Sequence, residues 1–177
     1  GCSRTGTFFS FERAGIVPDI VTMSKSIGGY GLPIGLTLFK PELDIWSPGE
    51  HNGTFRGVQL SLVAAKAGLE IMLDEKVEEQ VQRKEKIVRE FLDKEIKPLL
   101  GDKQEIRGIG LIFGIEFADG KLARKVLDKC FEKHLIVELA GRQDSVVKIM
   151  PSLVIDDELL MKGLNIIKES VEEVLGH

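Results

Sequence analysis

Residues 18–39 of the chain read PDIVTMSKSIGGYGLPIGLTLF, and they hold two short apolar runs on either side of a glycine-rich loop. The first run, residues 20–23, is rich in β-branched side chains, as is typical of a buried strand. The second run covers residues 35–39. Lys25 opens the loop between them. Glycines there permit unusual backbone angles and let a ligand come close to the main chain. The stretch predicts strand, ligand-accessible loop and strand.

The apolar pattern takes the period of a helix beyond residue 60. One predicted helix has a buried face made of Leu60, Val63, Ala64, Ala67 and Ile71. A second, highly charged helix is predicted from about Glu75 to Lys97, before Pro98 and Gly101. Its predicted buried stripe consists of Val77, Val81, Val88, Phe91 and Leu92. These two helices are the predicted connection to a second structural unit.

The last third of the chain alternates short strands with helices. Residues 106–117 predict a strand entered through glycines, and residues 121–133 predict a helix. Short strands are expected near residues 135–138 and 146–149. Asp156 is placed to cap a final helix. This order suits a small α+β layer.

Composition narrows the class of protein and of partner. The 177 residues include 24 Lys and Arg against 28 Asp and Glu, a net charge of −4 with no dense basic run. This balance argues against a nucleic acid or a membrane surface as the main partner. The two cysteines, Cys2 and Cys130, have no metal-ligand spacing, so no metal site is predicted and a reduced, cytoplasmic setting is expected. The loop-like start at Gly1, without an initiator Met, suggests a piece of a longer protein.

Lys25 is the first candidate for chemistry. A lysine amine can form a Schiff base with a carbonyl compound when its surroundings allow it to be neutral. Its position at the exit of a strand, in a loop with room for a cofactor, favours this role. A lysine in a polar loop is more commonly a solvated side chain, and that alternative stays open here.

A second candidate is the run HNGTFRG at residues 51–57. The Thr54 hydroxyl and the backbone amides around Gly53 are suited to holding a phosphate, with Arg56 adding positive charge. The alternative is a simple turn that leads into the helix after residue 60.

Taken together and in order, these segments resemble the class III aminotransferases. The resemblance rests on Arg4-Thr5-Gly6, Pro18-Asp19-Ile20, Ser24-Lys25-Ser26, Gly53-Thr54-Phe55 and, later, Arg107-Gly108-Ile109-Gly110-Leu111. It implies an α/β protein of fold-type I, the aspartate-aminotransferase fold, that uses pyridoxal 5′-phosphate. Residues 1–100 would then be the C-terminal part of the large cofactor-binding domain with its connecting helices. Residues 101–177 would be the small C-terminal α+β domain.

The resemblance also implies roles for three residues. Lys25 matches the lysine that carries the cofactor and moves a proton between the substrate Cα and the cofactor C4′. Thr54 matches a threonine that reaches the cofactor phosphate of the neighbouring subunit, which implies a homodimer or a higher homo-oligomer. Lys148 stands where many relatives have an arginine that binds a substrate carboxylate. Lysine keeps the charge but loses the bidentate fork of arginine.

Residues 29–33 and 46–57 are most similar to the family members that act on L-2,4-diaminobutyrate and 2-oxoglutarate in ectoine biosynthesis. The expected products are L-aspartate 4-semialdehyde and glutamate, with the reaction running in either direction. Two alternatives remain: another ω-amino substrate such as ornithine or 4-aminobutyrate, and a non-catalytic assembly module. The resemblance further implies that the aspartate that pairs with the pyridinium nitrogen precedes Gly1. We therefore expect the chain alone to be inactive.

Overall fold

A computed structural model of the chain describes residues 1–29, 31–102 and 104–176, so that Tyr30 lies outside the described residues. The chain divides into two compact units. The first comprises Gly1–Ser3 and Thr7–Glu78, and the second comprises Arg4–Gly6 and Glu79–His177. The division falls earlier in the chain than the boundary drawn after residue 100. The assignment of the two regions to a large and a small domain stays a prediction.

The first unit contains a two-stranded sheet and one long helix. Strand β1 (Ile20–Ser24) pairs antiparallel with β2 (Gly35–Phe39), with Ile20 opposite Phe39 and Ser24 opposite Gly35. Both strands lie where the sequence predicts them. The predicted burial of β1 is wrong for this chain, since the Ile20 side chain is 57% exposed. A two-stranded sheet with a single partner strand leaves apolar side chains uncovered.

Helix α1 (Gln59–Asp74) packs through its small residues, and of the predicted apolar face only Ala64 is partly buried. Ser61 and Ala65 are buried, whereas Leu60 and Val63 are 72% and 67% exposed. The reason is a close backbone approach: a Cβ added to Gly29 would lie 2.4 Å from the Ala64 carbonyl oxygen. Large side chains on that side of α1 would hold the loop away from the helix.

The second unit is a four-stranded antiparallel sheet with three helices. The strand order is β3–β4–β6–β5. The elements are α2 (Val77–Phe91), which begins in the first unit, β3 (Glu105–Ile109), β4 (Ile112–Glu116), α3 (Gly120–Glu132), β5 (Glu138–Ala140), β6 (Val146–Ile149) and α4 (Asp157–Leu175). A π-helical turn (Leu92–Ile96) and a 3₁₀ turn (Lys97–Leu99) follow α2 within the range predicted as one helix.

The prediction of a single strand over residues 106–117 is wrong, because the segment folds into the β3–β4 hairpin. Gly108 pairs with Phe113 and Ile109 pairs with Ile112, so the chain reverses at residues 110 and 111. Gly110 has a φ of +57°, a left-handed conformation that glycine adopts without steric cost. The same glycine that suggested an entry to a strand therefore makes the turn.

The strand predicted at residues 135–138 begins only at Glu138. It pairs with β6 from Glu138 opposite Lys148 to Ala140 opposite Val146. The same register continued past β6 would set Leu135 opposite Pro151, and proline has no N–H to donate to a ladder. Ile136 and Val137 would face Met150 and Ile149, which keep their N–H groups, so the proline explains only why Leu135 is left out of the ladder.

The core of the second unit lies around β4 and between the helices. Phe113, Gly114 and Ile115 are consecutive buried residues, so both faces of β4 are covered. Val81, Val88 and Leu92 are buried as predicted, whereas Phe91 is only half-buried. Asp156 caps α4 as predicted, since its Oδ1 accepts hydrogen bonds from the Glu158 and Leu159 amides. No helix in residues 1–29, 31–102 and 104–176 is both long and apolar enough to cross a bilayer.

Replacing Gly110 with alanine should destabilise the second unit by at least about 2 kcal/mol, because the new side chain is strained in a left-handed backbone. A Cβ at this position would also lie 2.2 Å from the Arg4 carbonyl oxygen. Urea denaturation measures the change in the free energy of unfolding. The matched control is Gly101→Ala, because a Cβ there has open space around it. Equal stabilities of the two variants would contradict the account of the turn.

Candidate functional site

Lys25 follows the last residue of β1 and begins a short 3₁₀ turn (Lys25–Gly28). Its side chain is exposed, and its φ of +58° lies in the left-handed region. A non-glycine residue in that region costs of order 1–3 kcal/mol and persists only where neighbouring contacts impose it. The lysine is therefore held in an unfavourable backbone conformation.

The contacts that impose this conformation come from α1. Gly29 has a φ of +67° and lies so close to Ala64 that no side chain fits between them. Gly68, one turn further along α1, also leaves room for the Gly29 backbone. The buried Ser61 hydroxyl donates a hydrogen bond of 2.8 Å to the Pro33 carbonyl at the far end of the loop. Both ends of the loop after Lys25 are thus attached to one face of α1.

A small cavity of about 270 Å³ adjoins this loop. Lys25, Ser26, Gly29, Gly31, Leu32 and Pro33 line it. Its volume is just below the range of about 300–1,000 Å³ that is typical of small-molecule sites. A lysine and two glycines in the lining give it the composition that the sequence predicts for a cofactor loop.

Residues 46–57 form a second, structured loop. Glu50 accepts a hydrogen bond of 2.6 Å from the Ser47 amide, and the Arg56 guanidinium donates to the His51 carbonyl. The Trp46 ring stacks on His51 with centroids 4.9 Å apart. This loop and β2 enclose a groove of about 890 Å³, lined in part by Phe39, Trp46, His51, Phe55 and Arg56.

Thr54 lies in a turn of this loop and is exposed to solvent. Its neighbours Phe55 and Arg56 line the large groove, whereas Lys25 lines the small cavity, and Pro33 belongs to both. The structure places the two predicted cofactor residues in one unit but does not bring them into one cavity. Among the hydrogen bonds between described residues, none involves the side chain of Lys25 or of Thr54.

Lys148, the third predicted site residue, lies in the second unit on β6. It stands between Gly114 of β4 and Glu138 of β5. Its amine forms an ion pair with the Glu138 carboxylate. The hydrogen bond from Lys148, and then its charge, lower the pKa of Glu138. Lys148 therefore already has an anionic partner, which the sequence did not reveal because the pairing depends on strand register.

Three comparisons with known proteins all match this chain to aminotransferases. The family described as class-III aminotransferase matches residues 1–171. A diaminobutyrate–2-oxoglutarate transaminase of Wolinella succinogenes is 51% identical over 99% of this chain and 41% of its own length. One from Halalkalibacterium halodurans is 49% identical with the same coverage. The chain thus spans about two fifths of the length of the curated relatives it matches.

Solved structures give the same picture of the fold. The ornithine aminotransferase of Toxoplasma gondii matches with a TM-score of 0.89 and 28% identity, over 98% of this chain and 41% of that one. The acetylornithine aminotransferase of Elizabethkingia anophelis matches with a TM-score of 0.85 and 27% identity, over 98% and 45%. These matches confirm the predicted α/β fold-type I architecture.

Removing the amine in Lys148→Met should raise the pKa of Glu138 to the ordinary glutamate range, because its hydrogen-bond donor and counter-charge are lost. A carboxyl with a lowered folded-state pKa adds stability above its unfolded pKa, and this stability disappears as the pH falls through the folded value. The wild type should therefore be more stable than Lys148→Met at neutral pH, and the two stabilities should converge in acid.

A ¹³C NMR titration of the Glu138 carboxyl measures the pKa directly. Lys125→Met, which removes an exposed lysine from α3, is the control and should leave the Glu138 titration unchanged. An identical pKa of Glu138 in the wild type and in Lys148→Met would refute the ion pair.

Proposed function

The chain belongs to the class III aminotransferase family, and we propose that it is part of a pyridoxal-phosphate transaminase acting on L-2,4-diaminobutyrate and 2-oxoglutarate. The reaction would yield L-aspartate 4-semialdehyde and glutamate, in either direction, and would serve ectoine biosynthesis. The observation that carries this proposal is sequence identity of 48–51% to relatives named for this reaction, over 99% of the chain.

Class III aminotransferases use pyridoxal phosphate. The residues around Lys25 fit such a group, because an exposed lysine and two glycines line one cavity. Lys25 would hold the cofactor covalently. When bound, the cofactor supplies an electron sink that stabilises negative charge on the substrate Cα.

Lys25 would act as the acid–base group of the reaction. Once the substrate amine has displaced it from the cofactor, the Lys25 amine would be free to take the proton from the substrate Cα and deliver it to the cofactor C4′. Efficient proton transfer requires that the amine be held in a fixed position relative to the substrate. The attachment of the loop to α1 through Gly29 and Ser61 supports this role, because it restrains the backbone from which Lys25 extends.

Thr54 would bind the cofactor phosphate of a neighbouring subunit. Its exposed position and its separation from the cavity beside Lys25 are compatible with service to another copy of the chain. The active form would therefore be a homodimer or a higher homo-oligomer.

The proposed cellular setting of the protein is the cytoplasm.

Lys148 would bind a substrate carboxylate, in competition with Glu138. The ion pair means that an incoming carboxylate must displace Glu138 or share the ammonium with it. A lysine ammonium has three donors and no fixed plane, so it can contact two carboxylates at once. This geometry supports a weaker and less directional grip than arginine would provide.

A second candidate substrate is ornithine, because the chain resembles ornithine and acetylornithine aminotransferases in structure. Their identities of 27–28% are far below the values for the diaminobutyrate relatives. The sequence of the loop at residues 46–57 favours the diaminobutyrate class as well.

The full-length protein should have a higher kcat/KM for diaminobutyrate than for ornithine or 4-aminobutyrate, with 2-oxoglutarate as acceptor. This ratio is the measure of specificity between competing substrates. Glutamate formation, followed with a coupled dehydrogenase, gives the rates. Lys25→Ala is the negative control and should abolish turnover. A preference for ornithine would overturn the assignment of the substrate, and turnover by Lys25→Ala would overturn the assignment of the lysine.

A further inference from the structure

The β4–β6 pair ends next to Lys148. Its last regular pairs are Gly114 opposite Lys148 and Phe113 opposite Ile149. Continuing this register by two residues sets Leu111 opposite Pro151. Pro151 has no N–H, so the main chain cannot supply a ladder hydrogen bond from this residue. The end of the strand that carries Lys148 needs another donor.

Arg4 supplies that donor. Its Nη1 donates a hydrogen bond of 3.1 Å to the Leu111 carbonyl and a second one to the Pro151 carbonyl. One guanidinium nitrogen thus bridges the two carbonyls that face each other beyond the ladder. Arg4 is half-buried, and burial lowers the pKa of its guanidinium. Arginine nevertheless stays charged in proteins, so both hydrogen bonds have a cationic donor.

The backbone around Arg4 is fixed on the same side. The Leu111 amide donates a hydrogen bond of 2.9 Å to the Arg4 carbonyl, so the two residues are joined in both directions. The Gln82 side-chain amide of α2 donates a hydrogen bond of 2.6 Å to the Gly6 carbonyl. The left-handed turn at Gly110 leaves the space that the Arg4 carbonyl occupies. The segment Arg4–Gly6 is thereby built into the second unit.

A second basic side chain binds the segment that connects β6 to α4, at a point beyond Pro151 in the chain. Lys84 of α2 is only 2% exposed, and its amine donates a hydrogen bond of 3.2 Å to the Leu153 carbonyl. Arg83, its neighbour, makes a two-pronged ion pair with Asp157 at the start of α4. These contacts hold the end of this segment that is near α4, whereas Arg4 binds the end near β6.

We propose that Arg4 is a positioning residue that fixes the exit of β6, and that through it Arg4 strengthens the binding of a substrate carboxylate by Lys148. The inference rests on the proposed role of Lys148. Without the Arg4 bridge, the last pairs of the β4–β6 ladder open more readily, and Lys148 is one of the residues in those pairs.

The test is a double-mutant cycle on the full-length protein, because such a cycle isolates the coupling between two residues. The probe is glutarate, a dicarboxylate that has no keto group and cannot be transaminated. Titration calorimetry gives its Kd for the wild type, Arg4→Met, Lys148→Met and the double variant. Arg124→Met, which removes an exposed arginine from α3, is the matched control.

Arg4→Met should raise the Kd of glutarate about fivefold to tenfold in the wild-type background and leave it unchanged when Lys148 is already replaced. Arg4→Lys keeps a cationic donor and should recover part of the affinity. Arg124→Met should bind like the wild type. If Arg4→Met does not fold, Arg4→Lys replaces it in the cycle, with a smaller change expected in the same direction.

Two results would overturn the inference and separate its failure from that of the proposed carboxylate site. If Lys148→Met weakens glutarate binding but Arg4 shows no coupling to it, Arg4 has only a structural role. If Lys148→Met leaves glutarate binding unchanged, the carboxylate role of Lys148 fails, and the positioning role of Arg4 fails with it.

Discussion

The close approach of the Gly29 backbone to the Ala64 carbonyl on α1 is the constraint on which the first unit depends. A Cβ on Gly29 would overlap the helix main chain, and the residues of α1 that contact the loop are Ser61, Ala64 and Gly68. This packing fixes a loop whose first residue, Lys25, has a left-handed backbone conformation.

The second unit is organised by a different interaction, a charged side chain that completes main-chain hydrogen bonding. Arg4, Lys84 and Arg89 each donate to backbone carbonyls, at Leu111 and Pro151, at Leu153 and at Gly108. Arg89 also lies 4.8 Å over the Phe113 ring. Charge-assisted hydrogen bonds of this kind are stronger than neutral ones, so they suit the irregular ends of strands. Two basic residues of α2 therefore bind main-chain carbonyls: Arg89 that of Gly108 in β3, and Lys84 that of Leu153 after β6.

The positions of the strands and helices could be predicted from the sequence where a periodic pattern was strong. β1, β2, β6 and the cap of α4 lie where they were expected. The buried face of α1 could not be predicted from hydrophobicity, because its contact uses small residues. The spacing of Ser61, Ala65 and Gly68 was the available signal, and it becomes informative only beside the glycines of the preceding loop.

The candidate site was also predictable only in part from the sequence. Lys25 could be selected from its loop, but neither its left-handed backbone nor its cavity is visible in a sequence. The pairing of Lys148 with Glu138 and the bridge made by Arg4 depend on strand register, which links residues far apart in the chain. Both required the three-dimensional structure.

The central claim is that Lys25 is the amine that carries the cofactor. The most direct measurement is borohydride reduction of the full-length protein with pyridoxal phosphate, followed by peptide mapping with mass spectrometry. The account predicts one stoichiometric pyridoxyl group, on Lys25. Stoichiometric label on another lysine, with Lys25 unmodified, would contradict it.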